Sequence, residues 1–251
     1  MNIEIGNVSK LSIDRKADYL REKMGEDLLS PIDVFSLAQS IDNLTICICP
    51  MGSSISGVCF KGEDTSVIAI NSEMSLGRQR FSLAHELYHL YFDSDYKSEV
   101  SLIKIGSGGA NERNADKFAS FFLIPQTSLV NKLDQLDNSI ELADVIRLEQ
   151  FYGVSHHAML YRLVDDGFLS KADSLSMKEG VIAKAKRLGY ADSIYLPLSD
   201  KNEIKVLGHY VNIADELYAN NRISKGKYEQ LLLDAFRDDI VYGLTEEVDI
   251  D

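Results

Sequence analysis

The stretch Arg78-Gln79-Arg80-Phe81-Ser82-Leu83-Ala84-His85-Glu86-Leu87-Tyr88-His89-Leu90 decides how the rest of the chain is read. Phe81, Ala84, Leu87, Tyr88 and Tyr91 recur on overlapping faces, which predicts a helix from Ser75 to about Phe92. On such a helix His85 and His89, at i and i+4, stand one turn apart on the same face. Two imidazole nitrogens are then placed to take one Zn²⁺, at about 2.0–2.1 Å each. Glu86 follows the first histidine directly, so its carboxylate reaches an attacking water without being a ligand. The metal lowers the pKa of water to about 7 and polarises the scissile carbonyl, and Glu86 takes the proton. In a chain with 5 histidines the His-Glu-x-x-His pattern has a chance expectation of only roughly 0.006.

A zinc site needs a third protein ligand. The metzincin form asks for a glycine and then a histidine at the positions that hold Phe92 and Asp95 here, which excludes that class. Asp95 remains an alternative carboxylate ligand. The better candidate is Glu112, at the start of the next predicted helix, Glu112 to Phe122, which Pro125 ends. It completes a His₂Glu set with an open position for water. Asp116 lies at i+4 from Glu112, on the same face, and is placed to hydrogen-bond the far nitrogen of His85 or His89 and so set its tautomer.

Upstream, residues 12–24 read as a helix capped by Ser12 and stopped by Gly25. Ser30-Pro31-Ile32-Asp33 reads as a second helix start, with Ser30 as cap and Pro31 first in the helix. Leu44 to Cys49, the segment around Val58-Cys59-Phe60, and Val67 to Ile70 read as three short strands of a small antiparallel sheet. The polar run from Asp93 to Asn111, with Gly106, Gly108 and Gly109, reads as a flexible loop and a candidate flap. Residues 127–170 read as short helices, and 174–188 and 209–237 as a weaker helical tail.

Composition narrows the classes. At 45% hydrophobic and 26% charged, the chain has material for a core and cannot be wholly disordered. Its length of 251 residues allows one large domain or two small ones. The net charge of −13 repels phosphate backbones, so no direct nucleic-acid binding is expected. Residues 141–168 do have helix-turn-helix spacing around Gly153 and Ser155, but the second helix offers Arg162 against Asp165 and Asp166. A helical pair packed on the main domain is the better reading. Cys47, Cys49 and Cys59 are odd in number and read as small buried hydrophobes rather than a disulfide or metal framework. The first residues lack an apolar signal region and no run is long enough to span a membrane, so the expected location is cytoplasmic.

The run from Arg78 through His-Glu-Leu-Tyr-His-Leu resembles the ImmA/IrrE metallopeptidase family, and Glu112-Arg-Asn-Ala-Asp-Lys-Phe-Ala-Ser-Phe-Phe-Leu-Ile-Pro125 resembles its second signature. The resemblance covers roughly residues 15–170. Two departures are Tyr88, where a glycine is usual, and Asp116, where asparagine is usual. The resemblance implies an α+β fold: a mainly helical zincin-like peptidase domain with a small antiparallel sheet, plus a helical C-terminal region. We accordingly divide the chain into a zincin-like domain at 1–128, a helical segment with helix-turn-helix-like spacing at 129–170, and a C-terminal region at 171–251 for partner binding or sensing. It further implies His85, His89 and Glu112 as Zn²⁺ ligands and Glu86 as base. The implied activity is site-specific endopeptidase cleavage of a helix-turn-helix transcriptional repressor, which derepresses mobile-element or stress genes. The competing expectation is a non-catalytic interaction component of a toxin–antitoxin or regulatory pair. The oxyanion-stabilising donor stays open among His156, His157, His209, Tyr152 and Tyr161.

Overall fold

Alternation of Leu44, Ile46 and Ile48 with Thr45, Cys47 and Cys49 makes β1 (Leu44–Cys49) one-sided, with the three aliphatics fully buried and the other three partly exposed. The computed structural model describes residues 11–93, 98–102, 104–136, 139–197 and 204–243. Its fold is α+β. Two helices, α1 (Ile13–Lys23) and α2 (Val34–Gln39), precede β1. Then come β2 (Ile55–Lys61), β3 (Ser66–Asn71), α3 (Leu76–Phe92), β4 (Ser98–Leu102) and α4 (Ala110–Leu123). The helices α5 (Gln126–Leu133), α6 (Leu142–Tyr152), α7 (His156–Asp165), α8 (Lys171–Ser176) and α9 (Val181–Arg187) follow, then a short 3₁₀ turn, Ser193–Tyr195. The described chain closes with β5 (Lys205–Gly208), α10 (His209–Ala219), α11 (Lys225–Asp234) and α12 (Asp238–Val241).

The sheet order is β4-β2-β3-β1-β5. It is mixed, which corrects the expectation of an antiparallel sheet: β1 and β3 run parallel, with Ile46 beside Ile68 and Ile48 beside Ile70. The cause is a hairpin set one place out. The loop after β1 passes the end of β3 before β2 begins, and β3 returns between β2 and β1. Asn71 holds that loop, accepting from Met51 N and donating to the carbonyls of Gly52 and Ile55.

Other expectations shift locally. The second helix starts at Val34 with Asp33 as its cap, accepting from Phe35 N. Ser30 and Pro31 lie outside it, because Asp27 turns the chain there by accepting from Leu29 N and Ser30 N. The run expected to be a loop from Asp93 contains the edge strand β4. Its sequence, Ser-Glu-Val-Ser-Leu, is too short and polar to announce a strand. The C-terminal region is mainly helical, but it adds β5 to the sheet antiparallel to β1.

The core lies between the sheet and the α1–α4 layer, and α3 runs through it. Leu83, Ala84 and Leu87 are fully buried there, as are Ala115, Phe118 and Phe122 of the neighbouring α4. Arg21, also fully buried, ties these layers by donating to the carbonyls of Asp27, Ser30 and Phe122. No helix among the described residues is long and apolar enough to cross a membrane.

Candidate metal centre

Helix α3 is set deep because its apolar residues surround it rather than marking one stripe. Its polar residues are therefore buried too: His85 is 5% exposed, and Glu86 and His89 are 0%. Buried polar groups need partners. His85 presents Nδ1 to Asp116 Oδ1 at 2.9 Å, and His89 presents Nδ1 to Asp93 Oδ2 at 3.3 Å. Asp116 is itself held by Gly106 N, which donates to Oδ2. Asp93 accepts from Asn111 Nδ2 as well.

A carboxylate on each Nδ1 fixes the proton there and leaves each Nε2 as a lone pair. The two Nε2 atoms lie 3.2 Å apart. Glu112, in the first turn of α4, brings Oε2 to 3.3 Å from His85 Nε2 and Oε1 to 3.2 Å from His89 Nε2. Glu112 Oε1 is buried without an aligned donor. The three ligand-type atoms fall within 4.8 Å of one another, the one such cluster among the described residues. Converging acceptors of this kind call for a proton or a metal cation between them.

The electrostatics of the cluster make the same demand. Burial opposes charging His85, but its hydrogen bonds to Asp116 and Glu112 outweigh this and push its pKa up to about 10 without a metal. Burial would raise Glu112, yet the bonds from His85 and His89 hold it at about 2. A proton thus fills part of the role that a metal would take. Two imidazoles and a carboxylate are a donor set suited to Zn²⁺ with one position left open. The residues present fit that ion.

Residues 42–164 match the model of the IrrE N-terminal-like domain, a peptidase family. This domain belongs to the ImmA/IrrE metallopeptidase family. No curated protein matches it. The IrrE N-terminal-like domain spans β1 to α7, about half of the chain, and holds the whole converging cluster.

Within this domain the Glu86 carboxylate lies against Gly57 of β2 and within electrostatic reach of His85, His89 and Glu112. Burial raises its pKa, against the pull of His85 and His89. Neither of its oxygens has an aligned donor, although the Ser101 hydroxyl lies beside it. Tyr88, at the place where the family usually has glycine, packs its ring 5.6 Å from Phe118 between α3 and α4. Asp116 makes the hydrogen bond with an oxygen that asparagine would also offer.

Sequence reasoning missed Asp93 as the partner of His89. The signal was present: Asp93 is at i+4 from His89, at the C-cap of α3. Asp95 lies outside the described residues. Three of the candidate oxyanion donors are engaged elsewhere. Tyr152 is buried and bonded to Ser128 Oγ, His156 bonds Glu149, and His209 begins α10 beside Gln39 to Asn43. His157 and Tyr161 line a groove of about 430 Å³ with Ile105, within electrostatic reach of Asp116.

Proposed function

We propose that this protein is a zinc-dependent, site-specific endopeptidase whose substrate is a helix-turn-helix transcriptional repressor. Cleavage would derepress mobile-element or stress genes, in the cytoplasm. One observation carries the metal-dependent chemistry: two Nε2 lone pairs and a Glu112 oxygen converge, each histidine being backed by a carboxylate. His85, His89 and Glu112 would hold Zn²⁺, which when bound supplies a Lewis acid to polarise the scissile carbonyl. Glu86 takes a proton from the attacking water and passes it to the leaving amine. Its raised pKa suits a base that must also act as an acid.

The substrate reading draws on family membership and on charge. A net charge of −13 favours encounter with a basic, DNA-binding partner. The cut should fall in a mobile backbone segment, where an extended strand can reach the metal. Direct contact with nucleic acid is disfavoured by Arg162. The one arginine of the second helix of the helix-turn-helix-like pair, it is 1% exposed and spends its guanidinium on Asp166, Gln126 and Ser120. For residues 171–251 we propose partner docking, which the exposed Tyr210, Ile213, Phe236 and Tyr242 support.

The test is to incubate the zinc-loaded protein with the repressor encoded beside it and follow fragments by mass spectrometry. One discrete cut, lost in Glu86→Gln, is expected. Stable binding without a cut would favour the interaction-component reading instead.

A further inference from the structure

The floor beneath Glu86 is strand β2. Gly57 and Cys59 are i and i+2 on that strand and both buried; Gly57 lies against Glu86 of α3, and Cys59 is within electrostatic reach of it. Burial and the Glu86 carboxylate together push the Cys59 thiol up to about 12. Gly57 comes closer still. A Cβ built on it would stand 2.8 Å from Glu86 Oε1, 3.1 Å from Ala69 O and 3.2 Å from Ile70 Cδ1. Gly57 is outside the left-handed region, so the backbone there would accept any residue. Its lack of a side chain matters for space.

We infer that Gly57 is a positioning residue for Glu86: the room left by its missing Cβ is the slot in which Oε1 sits. Glu86 is 0% exposed and has no aligned hydrogen-bond donor, so packing is what places its carboxylate. If a methyl group enters the slot, something must move. Ala69 O belongs to the β3 backbone, which is paired to β2 on one side and β1 on the other. The end of the Glu86 side chain is the softer neighbour and gives way. His85 and His89 sit on the same helix, but their nitrogens are held by Glu112, Asp116 and Asp93. The ligand set would therefore keep its form while the carboxylate leaves its place. The catalytic part of this inference rests on Glu86 being the base; the steric part does not.

A stability cycle on the metal-free, full-length chain tests the steric part. Gly57→Ala is expected to lower Tm by about 3–8 °C, as overpacking does. In the Glu86→Ala background the same change should cost less than half as much. In the Glu86→Gln background, with shape kept and charge removed, the full cost should return. Equal costs in all three backgrounds would overturn the inference. Should Gly57→Ala alone not fold, folding of Gly57→Ala/Glu86→Ala supports it, and failure of both overturns it. The catalytic part is read on the zinc-loaded protein. Gly57→Ala should keep one metal per chain and an unchanged KM, while kcat falls about 10²-fold, the scale of a ~1 Å misplacement. If the wild type cuts nothing but the cycle holds, the peptidase reading fails and the positioning stands. If the wild type cuts and the cycle is additive, the reverse is true.

Discussion

Two helices of this chain carry paired histidines, and only one pair converges. In both places a histidine gives Nδ1 to a buried carboxylate: His85 to Asp116 at 2.9 Å on α3, and His156 to Glu149 at 2.7 Å on α7. The difference is what the other nitrogen meets. His85 Nε2 meets two further lone-pair groups, His89 and Glu112. His156 Nε2 meets the Met177 carbonyl at 3.0 Å, which an N–H satisfies outright. Protein partners on both ring nitrogens close the second site, and a metal ion suits the first. Spacing explains the contrast: i,i+4 puts His85 and His89 on one face, whereas His156 and His157 are adjacent and His157 is exposed. The α7 site acts as a tie. Glu149 also accepts from Tyr195, and the next residue, Leu196, accepts from Leu76 N at 2.6 Å, at the start of α3. The C-terminal region thus caps the helix that carries the metal centre.

The largest expected effect falls on the α3 site. Glu86→Gln should keep the fold and one metal per chain but lose about 10²–10⁴-fold in cleavage rate, measured on the repressor substrate. Near-normal cleavage would remove Glu86 from the mechanism. The same variant should raise the Tm of the metal-free protein at pH 8, since burial lifts the Glu86 pKa and its ionised form costs stability in the folded state.

Next, Glu112→Ala should abolish stoichiometric zinc by metal analysis, while His156→Ala leaves it intact. Equal metal loss in both would erase the contrast between the two sites. Asp116→Ala should weaken zinc by about 10–100-fold, because His85 loses the partner that orients it. Titration calorimetry against a competing chelator would measure this.

Removal of the metal should expose a pH dependence. His85 rises from the ordinary 6.5 to about 10 in the metal-free fold, so its proton adds stability below about 6.5 and that stability is lost as pH climbs toward about 10. In EDTA, Tm should fall across that window; with zinc bound, the proton is displaced and the fall should be smaller. A flat EDTA profile would contradict the His85–Asp116–Glu112 coupling.

The smallest functional effect belongs to the α7 tie. His156→Ala takes from Glu149, 0% exposed, one of its two hydrogen-bond partners and should cost about 1–3 kcal/mol of stability in urea unfolding. Zinc content should not change.

What the sequence by itself determined was local. Helical spacing over residues 75–92 placed His85 and His89 on one face, and the first turn of the following helix marked Glu112. These follow from a fixed 3.6-residue turn, which needs no knowledge of the rest of the chain. The tertiary structure decided what depends on long-range placement. Strand β4 is polar and gains its identity only by pairing with β2. The parallel β1–β3 pairing depends on where a hairpin inserts, which residue periodicity does not encode. Arg21 is buried because the carbonyls of nearby Asp27 and Ser30 and of distant Phe122 meet its guanidinium. Gly57 reads as a turn residue beside Ser56, and its meaning appears only when α3 packs on β2 and brings Glu86 Oε1 into the space that a side chain would fill. Packing sets such contacts, and a one-dimensional pattern carries no record of which surfaces meet.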